Sequence, residues 1–391
     1  MNILFISPSI PSKYHRIRAY HLIQALGKKH KVVVLSLVAD PSQKLPQELE
    51  SSCIHSEVVH KSKAQSLKDC LLSVFNKKPF EVAYCRSEEM SRRVNELCEK
   101  YKIECIYAKR LRSVQFTEGS SIPVIVDATD AMSLFYKKMV TQGVWYKKLF
   151  YIYEYLKYRD YEKKLAEKYK YWSICSPADV DYMKESIPTA EFFMIPNTVD
   201  EMPLQQKNTE NKDTLEKKTI MLSGLMDKWV NIQAADYFVK KIFPGIQAVF
   251  PDVELVIVGP NPASAVRRLG LRRGVTVAGR VPDIQDVIVK SSVVVCPIKT
   301  GTGTRNKILQ AWALGRPVVS TREGASGLMT KHGKNILIAD EPQTFADHVV
   351  QLIKNKNLHN ELGQGGYETV KKFYSPEVLE RSLDVMLEKI I

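Results

Sequence analysis

With 391 residues, the chain exceeds what one hydrophobic core usually organises and suits two domains of roughly 180 residues each. Its 45% hydrophobic and 26% charged residues exclude wholesale disorder. The 57 Lys and Arg against 43 Asp and Glu leave a net charge of +14, which points to phosphorylated ligands, nucleic acid or an anionic membrane surface as partners.

The chain begins with Asn2 to Ser7, a continuous apolar run of the kind found in a parallel sheet covered on both faces. It is too short, and too soon followed by Pro8 and Pro11, for a signal peptide, and no later run is long enough to span a bilayer. The seven cysteines are odd in number, scattered and free of any Cys-x-x-Cys pair. That argues against zinc and against a disulfide framework, and for a reducing cytoplasm. A helix over Arg16 to Leu26 and a strand over Lys31 to Leu37 complete a βαβ unit. In such units ligands bind beyond the carboxyl ends of the strands, so Lys13, Tyr14, Arg16 and Arg18 are candidate acceptor or phosphate contacts; a solvated basic helix face is the plainer reading. The first turn holds no G-x-G-x-x-G, so the usual dinucleotide fingerprint is missing.

Strands are expected at Val82 to Cys85, Cys105 to Ala108 and Pro123 to Asp127, with a helix from Glu88 to Tyr101 between the first two. The last of these strands delivers Asp127 and Asp130 at a carboxyl end, although Asp130 also suits a helix cap. From Tyr136 to Trp172 the sequence is dense in tyrosine and lysine, and Leu149, Ile152, Tyr153, Leu156, Tyr161 and Leu165 recur at helical spacing. Two readings fit: a helix lying on an anionic membrane, or a long helix packed across the first domain with its lysines snorkelling. Asp179 and Asp181 resemble a metal-binding D-x-D pair, but Ser176 and Pro177 already mark them as an ordinary helix start, so no metal site is assigned.

A first domain therefore covers 1–199 and a polar, aromatic-free linker covers 200–218. A second α/β series fills 219–375, with strands at Ile220 to Gly224, Leu255 to Gly259, Val275 to Gly279, Val293 to Pro297 and Pro317 to Thr321. Between the last two lies KTGTGTRNKILQAWALG, Lys299 to Gly315. Its threonines and glycines offer close-approaching backbone and capping hydroxyls, the helix beginning near Arg305 turns its positive dipole end to them, and Arg305 and Lys307 add charge. This reads as a phosphate cradle or, more plainly, as a capped helix between strands. The tail from about 376 to 391 is amphipathic and suits packing back on the first domain.

The stretches IPSKYHRIRAYHLIQALGKKHKVVVLSLVADP, PVIVDATDAMS, IPNTVD, GLMDKWVNIQAADYFVKKIFPGIQ, VIVGPNP, VTVAGRVPDIQDVI and GTRNKILQAWALGRPVVSTREGASGL, the last the most specific, run through both halves in one order. The chain resembles the GT-B-fold retaining glycosyltransferases of family 4, most closely the exosortase-associated sugar transferases. The resemblance implies an α/β fold of two Rossmann-like parallel-sheet domains facing a deep cleft. It implies metal-independent, cofactor-free transfer of a sugar from a nucleotide donor, such as a UDP- or GDP-sugar, to a lipid-linked or polysaccharide acceptor in cell-surface glycan synthesis. Carried over by position, Arg305, Lys307 and Asp130 are the catalytic candidates. Gly279, Arg280, Val281, Thr302, Gly303, Thr304, Gln310 and Lys228 would bind the donor. Partners are then a nucleotide sugar, the acceptor and an anionic membrane surface; nucleic acid is not expected, because no base-stacking or groove-reading motif accompanies the charge. The protein is expected in the cytoplasm, peripheral at the inner face of the membrane.

The sequence departs from the family at several points: Thr302 replaces the first glutamate of the usual pair, and only Lys228 remains where an arginine and a lysine are common after the first strand of the second domain. Gln310 stands where a carboxylate for the donor ribose is usual, Tyr14 where a first-loop glycine is, and Thr129 where a histidine is common. The alternative these favour is a degenerate, catalytically weak relative that binds a sugar nucleotide or a partner enzyme.

Overall fold

The computed structural model describes residues 1–12, 17–199 and 218–390, which form two compact units, Met1–Thr198 with Pro376–Ile391, and Val199–Ser375. Lys13, Tyr14 and Arg16, and all of the expected linker except Lys218, lie outside the described residues.

The first unit holds seven strands: β1 (Asn2–Ser7), β2 (Lys31–Val38), β3 (His55–His60), β4 (Cys105–Lys109), β5 (Val124–Thr129), β6 (Tyr171–Ile174) and β7 (Glu191–Met194). They pair in parallel in the order β3-β2-β1-β4-β5-β6-β7. Parallel strands need crossovers, so both faces are covered and the central strands are apolar throughout; Ile3, Leu4, Phe5 and Ile6 have no exposed surface. The helices used below are α1 (Ile17–Gly27), α2 (Lys63–Leu72), α3 (Met132–Gln142) and α4 (Lys148–Lys168).

Two expectations are corrected here. Val82 to Cys85 is not a strand: a helix runs over Phe80–Tyr84, starting from Pro79, whose fixed φ suits the entry. The edge position is taken instead by β3, whose sequence HSEVVH is too polar to read as a buried strand. The second correction concerns Tyr136 to Trp172, which is two helices rather than one. The break is at Gly143, where a β-carbon would lie 2.4 Å from the Met139 carbonyl oxygen. Along α4, Tyr158, Tyr161 and Leu165 are buried, so the carboxyl-terminal half of that helix is core.

The second unit has six parallel strands: β8 (Thr219–Ser223), β9 (Glu254–Val258), β10 (Val275–Gly279), β11 (Val293–Cys296), β12 (Val318–Ser320) and β13 (Leu337–Ile338). Their order is β10-β9-β8-β11-β12-β13. After β8 comes α5 (Trp229–Tyr237), then a π-helical segment, Phe238–Ile242, that relieves the ladder ahead of Pro244 before α6 (Phe243–Val249) resumes. After β11 comes α7 (Asn306–Ala313), whose Ile308, Leu309 and Trp312 are buried and which ends at Gly315 with φ +63°. The last helix, α8 (Pro376–Glu388), belongs to the first unit, where Leu379, Leu383, Met386 and Leu387 join the core beside α1.

Candidate functional site

In an open parallel sheet the crevice for a ligand lies beyond the carboxyl ends of the two strands between which the order reverses. In the second unit those strands are β8 and β11. Each is followed by a glycine-dependent turn. Gly224, at the end of β8, has its backbone carbonyl so near Gly259 that a β-carbon on Gly259 would lie 1.7 Å from that oxygen. After β11 the loop Lys299 to Thr304 places Gly301 at φ +134° and Gly303 at φ +78°, which side-chain-bearing residues rarely adopt.

The Arg305 side chain folds back over this loop: a β-carbon on Gly301 would lie 2.5 Å from Arg305 Nη2. Nε and Nη2 of Arg305 are buried and have no hydrogen-bond partner. A buried guanidinium with unused donors costs free energy unless an acceptor completes it. Lys307, half-buried one residue into α7, donates to Asn231 Oδ1 at 3.1 Å. Burial, with the neighbouring charge of Arg305, holds its ammonium below the usual lysine value. Gln310 is half-buried one turn further along the same helix face. Arg305 itself is the N-cap residue and no side chain caps α7. The Thr304 hydroxyl, a candidate cap, instead donates to the Gly327 carbonyl at 3.4 Å and ties the loop to the stretch after β12. Lys299 lies over the Tyr237 ring, 3.5 Å from its centroid.

The loop and helix thus bring Thr302, Gly303, Thr304, Arg305, Lys307 and Gln310 to one place. Gly279 ends β10 and Arg280 and Val281 follow it at the sheet edge, two strands from β8, with Gly279 at φ +65°. Lys228 precedes α5 and pairs with Asp227 at 2.9 Å on the surface. Asn231 was not legible as a site residue, since nothing in the sequence marks it as the partner of Lys307. Among the described residues no group of three or more His, Cys, Asp or Glu could hold a metal ion.

In the first unit the order reverses between β1 and β4. Arg18 is buried there and committed to the protein: Nη2 and Nε donate to Asp127 at 3.3 and 3.4 Å. Nη1 donates to the carbonyls of Ile195 and Pro196 and to Asn197 Oδ1, at 2.7, 3.2 and 3.1 Å. These contacts clamp the amino end of α1 to β5 and to the chain after β7. Lys109, at the end of β4, completes the cluster by donating to Asp127 Oδ2 at 2.9 Å and Thr129 Oγ1 at 2.7 Å. Burial and the nearby Arg18 and Arg110 push Lys109 down to about 7 against the pull of Asp127, while Arg18 and Lys109 hold the Asp127 carboxyl well below the usual range despite its burial. Thr129 and Arg110 both carry φ +65°, a strained conformation at two adjacent strand ends. Asp130, half-buried just past β5, accepts from the Cys175 thiol at 3.6 Å and does not cap α3, whose N-cap is Ala131.

Residues 217–355 match the family described as "Glycosyl transferases group 1". The fold as a whole is GT-B, two Rossmann-like parallel-sheet units. The crystal structure of Anabaena HepE, in complex with UDP and glucose, superposes with a TM-score of 0.70 at 13% identity over 99% of both chains. In sequence, the chain is similar to an uncharacterized 44.6 kDa protein in the cps region of Klebsiella pneumoniae, 21% identical over 61% of this chain and 61% of that one. It is also similar to the lipopolysaccharide core biosynthesis glycosyltransferase LpsE of Rhizobium meliloti, 34% identical over 19% of this chain and 22% of that relative. The matched stretch contains the crevice at β8 and β11 together with Arg305, Lys307 and Asn231.

Proposed function

We propose that the chain is a retaining glycosyltransferase of family 4 that moves a sugar from a nucleoside-diphosphate donor, a UDP- or GDP-sugar, to a lipid-linked or polysaccharide acceptor in cell-surface glycan synthesis. The observation that carries this reading is the pair of unpartnered buried nitrogens on Arg305 above a glycine loop. With Lys307 and the amino end of α7 beside them, they form a site fit for an anion at the crevice of the sheet. As the sugar leaves the donor, negative charge grows on the departing diphosphate. Fixed cations and a helix dipole stabilise that growth, so the chemistry needs neither a metal ion nor a cofactor in this reading. In this reading Gln310 would meet a ribose hydroxyl, and Gly279 to Val281 the base. Asp130 would serve the sugar or acceptor from the first unit. The UDP bound by HepE and the lipopolysaccharide role of LpsE support the donor and acceptor classes. A membrane-borne acceptor would set the enzyme to work in the cytoplasm at the inner face of the membrane.

The test is a thermal-shift screen of UDP- and GDP-sugars followed by a transfer and hydrolysis assay on any binder. Stabilisation by one sugar nucleotide, lost by about a hundredfold in affinity in an Arg305→Ala, Lys307→Ala double variant, is expected, since two charge-assisted contacts disappear. An unchanged affinity in that variant would remove the assignment of the loop. Tight binding with no turnover would favour the degenerate, binding-only alternative that neutral Gln310 suggests.

A further inference from the structure

The first unit carries an apolar surface that its own fold leaves uncovered. It is built from two separate pieces of chain. One is the end of α2 and the turn after it, where Leu71, Val74 and Phe75 face outward, Phe75 with 91% of its surface exposed. The other is the corner between α3 and α4, where Trp145 is 84% and Leu149 83% exposed, with Tyr146 and Phe150 beside them.

Specific contacts hold the two pieces side by side. The Tyr153 hydroxyl, one turn after Leu149 on α4, donates to the Val74 carbonyl at 2.6 Å. Lys157 Nζ donates to the carbonyls of Ser73 and Lys78 at 2.5 and 3.0 Å. The rings of Phe80 and Phe150 lie 5.6 Å apart. The turn bearing Phe75 is therefore tied to α4 at Tyr153 and Lys157, beside the exposed first turn of that helix. Soluble proteins seldom display so many large apolar side chains together without a use for them.

The two stretches of chain that build this surface are basic. Between Lys137 and Phe150 there are four lysines, Lys137, Lys138, Lys147 and Lys148, and no acid. Between Lys63 and Phe80 there are another four, Lys63, Lys68, Lys77 and Lys78, and one acid, Asp69, which Lys61 pairs at 2.7 Å. A partner protein would need an apolar patch rimmed by acids; a bilayer containing anionic lipid supplies apolar depth and negative surface together. Tryptophan and tyrosine at the rim, with lysines around them, suit the headgroup level.

We infer that this face docks on an anionic bilayer, Phe75 and Leu149 inserting among the acyl chains and Trp145 lying at the headgroup level while the lysines hold acidic headgroups. This deepens the membrane reading of the proposed function by naming the surface, yet it rests on observations in the first unit alone. It also shifts the contact away from the α4 helix as a whole, whose second half is core.

The test uses the full chain and flotation with vesicles of phosphatidylcholine containing about one part in three phosphatidylglycerol. Binding is expected at low salt, weakening as salt rises, with little binding to pure phosphatidylcholine. Phe75→Glu, Leu149→Glu should abolish flotation, and each of Lys77→Gln and Lys148→Gln should weaken it about fivefold. All four positions are exposed, so the circular dichroism melt should match the parent, and sugar-nucleotide affinity should be unchanged. That last measurement separates failure here from failure of the transferase reading. A blue shift of tryptophan emission on binding should vanish in Trp145→Phe. The inference is overturned by absence of flotation at low salt, by equal binding to neutral vesicles, or by flotation that survives the double glutamate change. It is overturned equally if the chain is a dimer in solution that the double change splits, which would make the face an interface between copies.

Discussion

The Lys307 ammonium donates to Asn231 Oδ1 over 3.1 Å, and this single bond joins the helices that follow β8 and β11, the two strands between which the second sheet reverses its order. It holds a cation at the crevice with no acid among the described residues paired to it. A neutral amide orients the ammonium; a carboxylate would neutralise it.

That distinction can be measured. Asn231→Asp would set a negative charge at hydrogen-bond distance from Nζ, raise the Lys307 pKa back toward its ordinary value and compete with an incoming diphosphate. We expect about tenfold weaker binding of UDP or GDP, about 1.4 kcal/mol, with no loss of thermal stability. Isothermal titration of the nucleotide against the parent and the variant decides it.

Gln310 offers the converse change. It lies on the Lys307 face of α7, one turn on, and hydrogen bonds to a charged acceptor are roughly twice as strong as neutral ones. Gln310→Glu should therefore bind a nucleoside diphosphate about fivefold more tightly. Affinity for inorganic diphosphate, which has no ribose, should not rise.

The Arg18, Asp127 and Lys109 cluster should govern stability rather than nucleotide affinity. Asp127 has no exposed surface and balances two buried cations. Asp127→Asn leaves both without a counterion and should destabilise the first unit by about 3 to 5 kcal/mol. Urea unfolding followed by circular dichroism reads that loss, and nucleotide binding at low urea should persist.

Glu162 gives a prediction in pH. It is buried on α4, accepts from the Ser133 backbone N–H at 3.2 Å, and is pushed up to about 7 chiefly by burial. The folded chain thus keeps a proton here that the unfolded chain releases near 4.5. Between those values the folded state binds more protons, so the contribution of Glu162 to stability is present at low pH and declines as pH rises toward 7. The slope is at most about 1.4 kcal/mol per pH unit. Glu162→Gln should remove that decline: its stability relative to the parent should rise from pH 5 to pH 7 and then level off, as read by chemical denaturation across the range.

Much of the architecture could be read from the chain because parallel strands covered on both faces are apolar throughout, as at Val32 to Leu35 and Val293 to Cys296. The errors fell where burial and composition part company. The edge strand His55–His60 is half polar and escaped notice, whereas Val82 and Ala83 are buried in a helix and passed for a strand. The loop and helix from Lys299 to Gly315 were legible because their residues are consecutive. The partners that give them meaning were not: Asn231 is 76 residues from Lys307, and Asp127 is 109 from Arg18. Nor could the helical spacing of Leu149, Tyr161 and Leu165 tell which of these side chains face solvent, since their burial depends on what packs over α4.

Because α8 lies in the core of the first unit beside α1, the ribosome must make the entire second unit before the first can close. Leu379, Leu383, Met386 and Leu387 arrive after the second unit has been synthesised, although the strands they cover were made at the outset. The amino-terminal sheet thus waits, with one side of its apolar surface open, through most of translation. A truncation near the carboxyl terminus would be felt first at the amino-terminal sheet, and the domain that carries Arg305 and Lys307 is the one placed to fold early.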